Sequence, residues 1–596
     1  MSLFSINENY GIHNDSFPLT PEEISKMVTE KLLKLYVKCD TTSVTILAVQ
    51  SLVKDVLIMS GNVSMVEAAA LINIYNEIKP HSNIVKEVQC YSEKDHLKIK
   101  HRKDGSGNTR SFYHNDISSD IESIISCADI KIPPTWDYIP IVLYGDSIQI
   151  KSPLMSHRRQ TSLIHFAYRI LHPNFNKKSS LDVIRTLGVS KEFYQKDDKF
   201  KDIIETVKLI IETNTVRINK KELSIRIKVL SADNLFYQDI FLLKKSFGDK
   251  GGQNCKCCLI KSSDYNKFLT CKEVNHPSVI RKNSPNPLFN YPLNIVSDSF
   301  HDLQEGVLSN LLIIVLEILF LEKIIIPSDI FKEVIRLTSL NSRYNDLKSV
   351  IDSSIFETRK KTVFTYNKKR KNCGNIEHNN KSTDDVRYNK VKYPLSGSQQ
   401  EKMSEIILRV LDNQILKIKN SKLEGLRLLL GRCLYITKMT NFKGEINENY
   451  INNLEVNIDM FFKELMTTFK NFNLSMKYHN LLHYPLIVKI HGNMSLYSTI
   501  RFESSHTKLK NMISKSKNFK NISFSIMKKY IVYDNIKKKY NMYKFPTDDV
   551  NIDENYKLPD QNYYIKYEAE SFSGNSDINI LSVLEESFKD DDIDIE

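Results

Sequence analysis

Three acidic residues stand where chemistry can be done. Asp146 closes the β-type run YIPIVLYGD (Tyr138 to Asp146), Asp233 closes LSIRIKVLSAD (Leu223 to Asp233), and Glu503 lies on a helical stretch far downstream. A strand end is a rigid mount, able to hold a side chain within the tolerance that chemistry needs. Two aspartates at neighbouring strand ends, completed by a glutamate from a helix packed alongside, can hold two Mg²⁺ or Mn²⁺ ions about 4 Å apart. Such a pair activates the attacking oxygen and stabilises the leaving one in phosphoryl transfer on DNA. Mg²⁺ keeps several of its waters, so few carboxylates are needed. A strand-closing aspartate taken alone is ordinarily a turn or cap residue, so the set draws its meaning from its surroundings.

A second group carries soft and borderline donors. Cys255 and Cys258 have the C-x-x-C spacing that lets two thiolates share one Zn²⁺. His479 and His483 are four apart in MKYHNLLHYP, so on a helix both rings project from one face. Together they make a Cys₂His₂ set, although histidine pairs at this spacing also occur on ordinary helix faces. Cys257 can substitute as a ligand, and Cys271 is either a bystander or the fourth ligand.

The elements that must position these residues follow from periodicity. Residues 20 to about 85 read as helical, opening at Thr20, Pro21 and two acids. The segments ending at Asp146 and Asp233 read as strands. SIQIKSPL after Asp146 reads as the second strand of a hairpin and TSLIHFAYRIL as a third, with a helix at 199–213 before the strand that ends at Asp233. The expected order is strand, strand, strand, helix, strand, a mixed α/β layout. Beyond about 290 long helical patterns dominate, with a polar break at about 366–392. Asp233 follows Asp146 by 87 residues, and Glu503 follows Asp233 by 270, far more than one connection within a sheet requires. An inserted helical domain is therefore expected.

Six segments in register resemble eukaryotic cut-and-paste transposases of the CACTA/Mirage/Chapaev-like group. LYGDSIQIKSPLMSHRR (Leu143 to Arg159) resembles the first-aspartate motif, VLSADN (Val229 to Asn234) the second, and HYPLIVKIHGNMSLYSTIRFESSH (His483 to His506) the glutamate segment. CKCC (Cys255 to Cys258), DSFHDLQEGVL (Asp298 to Leu308) and NFKNI (Asn518 to Ile522) fall in the matching order. The resemblance covers about 135–530 and implies a D-D-E catalytic set, Asp146, Asp233 and Glu503, on an RNase H-like core. It also implies a zinc that clamps the two ends of the insertion, as in related recombinases that pair a C-x-x-C with a downstream histidine pair. Asp298 and His301 match the group's D-x-x-H motif, which sets His301 near the pocket, orienting a carboxylate or touching the DNA strand. Arg501 is expected to pair with the glutamate or a phosphate, and His506 to support the site. Where many relatives carry a lysine before that histidine, this chain has Ser505.

The 596 residues carry a net charge of +13, which favours a polyanionic partner over an acidic small substrate. Lys508, Lys510, Lys515, Lys517, Lys520, Lys528 and Lys529 interleave with Phe519, Phe524 and Tyr530, a pattern able to neutralise phosphates and offer stacking faces; a solvated helix face reads the same way. Nine irregularly spaced cysteines do not form a secreted disulfide framework, and the start, MSLFSINENYGIHND, has no signal-peptide pattern. The run from Val307 to Pro327 is nearly long enough to span a bilayer, but Glu317 and Glu322 interrupt it, so a buried helix and no membrane partner are expected. No finger, hook or helix-turn-helix signature for end recognition precedes residue 130.

The expected organisation is then a helical N-terminal region (1–130) for DNA binding or dimerisation, and an α/β RNase H-like core with a mixed five-stranded sheet and flanking helices. That core is split into 131–290 and 476–545 around an all-α insertion (291–475), and a C-terminal extension with an acidic tail follows (546–596). The function implied is DNA strand cleavage and strand transfer at transposon ends by a nuclear homodimer or higher oligomer acting on double-stranded DNA. The cofactors implied are two Mg²⁺ or Mn²⁺ ions with a structural Zn²⁺. A relative that binds DNA without cutting it carries the same motifs, and a zinc-dependent interaction protein would leave the aspartates incidental.

Overall fold

Among the described residues, runs rich in branched and aromatic side chains, most of them buried along nearly their whole length, supply seven strands that join one sheet. The computed structural model describes residues 86–89, 111–128, 130–149, 162–172, 181–192, 200–241, 243, 252–281, 294–348, 395–416, 420–442, 446–469, 472–513, 522–539 and 543. The strands are β1 (Lys86–Gln89), β2 (Ser111–His114), β3 (Tyr138–Gln149), β4 (Ser162–Ile170), β5 (Arg185–Lys191), β6 (Thr215–Ile218) and β7 (Lys221–Ala232). They lie in the order β1-β2-β5-β4-β3-β7-β6. β3, β4 and β5 make an antiparallel meander, while β7 returns parallel to β3. Helix α1 (Ile117–Cys127) follows β2, α2 (Lys201–Glu212) links β5 to the β6–β7 hairpin, and α3 (Asn234–Ile240) leaves the end of β7. The fold is therefore mixed α/β.

Among the described residues from 300 to 469, every regular element is helical. A π-helical stretch, Phe300–Leu308, runs directly into α4 (Ser309–Leu321), followed by α5 (Pro327–Leu340), α6 (Gly397–Ile415), α7 (Ser421–Thr440) and α8 (Glu448–Thr468). α9 (Met476–Leu481), α10 (Tyr484–His491), α11 (Thr499–Ile513) and α12 (Ile522–Lys539) bring the chain back to the sheet. One hydrophobic core runs unbroken from Leu143 and Leu230 in the strands to Leu311, Leu429 and Phe461 in the helices. The segment Phe300–Phe320 is long and apolar enough to cross a membrane, yet 67% of its most apolar window is buried inside the fold.

Three expectations change. First, no hairpin turns at Asp146: β3 continues through it, pairing Ile148 with Leu163 and Gln149 with Ser162. Gly145 looks like a turn residue but serves close packing, because a Cβ there would lie 2.7 Å from the Phe236 ring. TSLIHFAYRIL is thus the second strand of the meander, and the third is RTLGVSK (β5), which the sequence reading passed over. Second, within the stretch 1–130 read as helical, the described residues include β1 and β2, which extend the sheet beyond β5, besides α1. Third, the sheet has seven strands instead of five, because β1 and β2 extend one edge and β6 the other. Residues 20 to 85 and the acidic tail lie outside the described residues.

Candidate active site and metal centre

The parallel ladder between β3 and β7 ends with Gly145 opposite Ala232, so the next residue on each strand is an aspartate. Asp146, inside β3, and Asp233, just past the end of β7, therefore occupy adjacent positions on neighbouring strands, about 5 Å apart. The Tyr144 hydroxyl donates to Asp146 Oδ2 at 3.0 Å and the Ser147 amide to Oδ1 at 2.6 Å. Asp233 caps α3, its Oδ1 accepting from the Phe236 amide at 2.6 Å.

Glu503 arrives on α11. Phe502 stacks on Tyr144 with ring centroids 4.6 Å apart, and Ser231 Oγ donates to the Tyr497 carbonyl at 2.5 Å just before the helix. These contacts seat α11 over the two aspartates despite the long sequence gap. His301 Nε2 lies 3.1 Å from Glu503 Oε1, while its Nδ1 lies 2.5 Å from Asp298 Oδ2. Asp298 is fixed in turn by Thr499, whose hydroxyl donates to Oδ2 at 2.6 Å and whose amide donates to Oδ1 at 3.2 Å. His301 thus stands between Asp298 and Glu503. His506 sits one helical turn beyond Glu503, with Nδ1 4.0 Å from Asp146 Oδ2 and its ring among those of Tyr144 and His165.

All three carboxylates are raised, although among the described residues their oxygens do not form a set within 4.8 Å of one another as the cysteine–histidine group does. Burial and the nearby charge of Asp233 push Asp146 up to about 7, with Glu503 contributing. Burial likewise pushes Glu503 up to about 7 against the lowering pull of His301, with Asp298, Glu305 and Asp233 adding repulsion. Asp233 is raised by burial. For His301, burial opposes the charge but the Asp298 carboxylate outweighs it, lifting the imidazole to about 10. Like charges held this close favour protons or a divalent cation between them.

The second centre is tighter. Among the described residues, Cys255, Cys258, His479 and His483 form a group whose donor atoms all lie within 4.8 Å of one another, all four buried. Cys258 Sγ is 3.1 Å from His479 Nε2, and Cys255 Sγ is 3.5 Å from His483 Nε2. His479 lies on α9 and His483 caps α10, so the four-residue spacing survives a break between two helices. Asn275 Oδ1 holds His483 Nδ1 at 2.9 Å, turning Nε2 inward, and Tyr265 stacks on His479 at 4.0 Å. Burial pushes the Cys258 thiol up, whereas Cys255 is brought down, against burial, by hydrogen bonds from the neighbouring thiols and by the two imidazoles. Two soft thiol donors and two imidazoles with outer partners in place suit a tetrahedral Zn²⁺. Cys257 and Cys271 stand outside the group: the Cys257 amide donates to Cys255 Sγ, and the Cys271 amide to Asp459.

The basic stretch is less available than its composition suggests. Lys508 packs against the rings of Tyr530 and Tyr533, 5.1 and 4.8 Å from their centroids, and burial pulls it down to about 8. Lys529 donates to the Met512 carbonyl at 2.9 Å, and Lys528 lies over Phe524. Lys510 is exposed, whereas Lys515, Lys517 and Lys520 lie outside the described residues. Arg501 is exposed, and Glu503 pairs with His301 instead. Tyr144, Thr499 and Asn275 were missed in the sequence, since a hydroxyl or amide far along the chain carries no spacing signal. No protein-family model matches this chain, and no curated protein matches it.

Proposed function

We propose that this chain is a divalent-metal-dependent polynucleotidyl transferase of the transposase kind, built on an RNase H-like core. The observation that carries the reading is the placement of Asp146 and Asp233 on neighbouring strands with α11 bringing Glu503 beside them, 270 residues after Asp233 in sequence. The sheet supports it. β5, β4, β3 and β7 form a mixed set within the seven-stranded sheet, antiparallel in the meander and parallel between β3 and β7.

In this reading Asp146, Asp233 and Glu503 hold two Mg²⁺ or Mn²⁺ ions, which when bound supply the Lewis acidity for in-line phosphoryl transfer. Tyr144 orients Asp146, and His301, itself fixed by Asp298 and Thr499, orients Glu503. Water is the nucleophile of the first strand cut, and the released 3′-hydroxyl attacks the target strand, with no covalent protein intermediate. The Cys₂His₂ group takes Zn²⁺ and ties the chain after β7 to the helices that lead into α11. The substrate is double-stranded DNA in the nucleus, and two transposon ends call for at least a dimer.

The test is a nicking assay on supercoiled DNA with Mg²⁺ or Mn²⁺. Cleavage is expected from the intact protein and not from Asp146→Ala or Glu503→Ala. Cutting that persists in either variant overturns the assignment.

A further inference from the structure

We propose that Lys256, Asn234, Asp302 and Asn480 form a buried polar strut that couples the Cys₂His₂ centre to Asp233 and His301, which makes these four positioning residues for the carboxylate site. The inference rests on the reading of Asp146, Asp233 and Glu503 as ion ligands. Asn234 Nδ2 donates to Asp302 Oδ1 at 2.6 Å, and Asn480 Nδ2 donates to both oxygens of Asp302 at 3.0 and 3.1 Å. Lys256 Nζ donates to Asn234 Oδ1 at 3.0 Å and lies over the Tyr237 ring at 4.4 Å. All four residues are buried, Asp302 completely.

The placement is systematic. Each member directly follows a residue of one of the two sites: Lys256 follows Cys255, Asn480 follows His479, Asn234 follows Asp233, and Asp302 follows His301. Displacing any member by an ångström therefore moves a site residue through a single peptide unit. Within the π-helical stretch Phe300–Leu308, the consecutive residues His301 and Asp302 point to different sides, the first to Glu503 and the second to Asn480 and Asn234. Asn480 also lies 3.9 Å from Cys255 Sγ through its Oδ1, so the strut touches the thiol cluster itself.

The energetics argue for a held geometry. A buried carboxylate is costly unless its lone pairs are filled and a cation stands nearby. Here two amides and the Lys256 ammonium oppose that cost, while burial still holds the Asp302 carboxyl above its ordinary value. A network satisfied at every member is rigid, and one with a member removed leaves a buried group unpaired. Ordering of the thiol and imidazole cluster by its ion is thereby transmitted to the backbone at Asp233.

The experiment measures Mn²⁺ binding at the carboxylates by electron paramagnetic resonance in the zinc-loaded full chain, without DNA. Asp302→Asn and the milder Asn480→Ser are compared with the intact protein, each checked for zinc content and for folding by circular dichroism. The expected result is about tenfold weaker Mn²⁺ binding with zinc stoichiometry unchanged. Asp302→Asn combined with Lys256→Met, which removes both charges together, is expected to recover part of the loss. Equal Mn²⁺ affinity in the intact protein and in folded Asp302→Asn and Asn480→Ser overturns the strut and leaves the proposed function standing. Absence of Mn²⁺ binding in the intact protein overturns both.

Discussion

His301 bridges Asp298 and Glu503, with one ring nitrogen 2.5 Å from the first carboxylate and the other 3.1 Å from the second. An imidazole held on both sides cannot rotate without losing a contact, so Glu503 inherits the rigidity of the Asp298–Thr499 anchor. His301→Ala is expected to lower single-turnover DNA cleavage by about 10- to 100-fold with zinc content unchanged. His301→Gln, whose amide can still donate to Glu503, is expected to retain more activity than the alanine variant. Equal rates in His301→Ala and the intact protein would remove His301 from the site.

Crowded carboxylates also set a pH dependence. Asp146 and Glu503 titrate near 7 in the ion-free fold, above their ordinary values of 3.8 and 4.5. The folded state thus holds protons that the unfolded chain has released. Their contribution to stability is full below the ordinary values and is lost as pH rises through about 7. His301, at about 10 against an ordinary 6.5, adds a decline of the same sign above 6.5. Asp298, whose carboxyl is depressed, acts oppositely, but its contribution is lost only in acid. The melting temperature of the ion-free protein should therefore fall between about pH 5 and pH 8. Saturating Mn²⁺ should flatten that slope by binding only the folded state. Asp146→Asn and Glu503→Gln should flatten it without any ion, and an unchanged slope in both would contradict the clustering.

Zinc retention tests the other centre. Cys255→Ser and His483→Ala are each expected to lose one equivalent of zinc and several degrees of melting temperature, because binding to a buried, folded-state cluster adds directly to folding stability. Cys257→Ser should keep the metal, since Cys257 stands outside the donor group. Zinc content read by atomic absorption decides it, and unchanged stoichiometry in Cys255→Ser would refute the site.

The two aspartates were legible in the sequence because each follows a run of branched residues, and branched runs fit a pleated, buried surface. Their adjacency was implied only by the family resemblance, since periodicity does not say that β7 returns beside β3 instead of beside β5. β5 escaped notice because RTLGVSK lacks clean alternation and carries Gly188 at its centre. That glycine admits the Phe112 ring of the neighbouring strand, a reason visible only in three dimensions. The ligand spacings of the Cys₂His₂ group were readable, but the 228-residue span between Cys255 and His483 closes only through the helices around α9. The strut was invisible, as a lysine inside a C-x-x-C reads as solvated until its ammonium is found beneath a tyrosine.

The lysines after Glu503 separate two roles that composition merges. Lys510 is exposed on α11, one turn beyond His506, whereas Lys508 has its ammonium against two tyrosine rings. Long lysine stems pack readily along apolar surface, so positive charge in a sequence does not by itself mark a phosphate contact. Lys510→Ala should weaken DNA binding uniformly across sequences and reduce the salt dependence by about one unit of slope, with stability unchanged. Lys508→Ala should do the reverse, lowering the melting temperature through lost packing on Tyr530 and Tyr533 while leaving the salt slope intact. Fluorescence anisotropy across a salt series, run beside thermal melts, distinguishes them. A full reduction in slope for Lys508→Ala would mean that its side chain swings out to meet DNA.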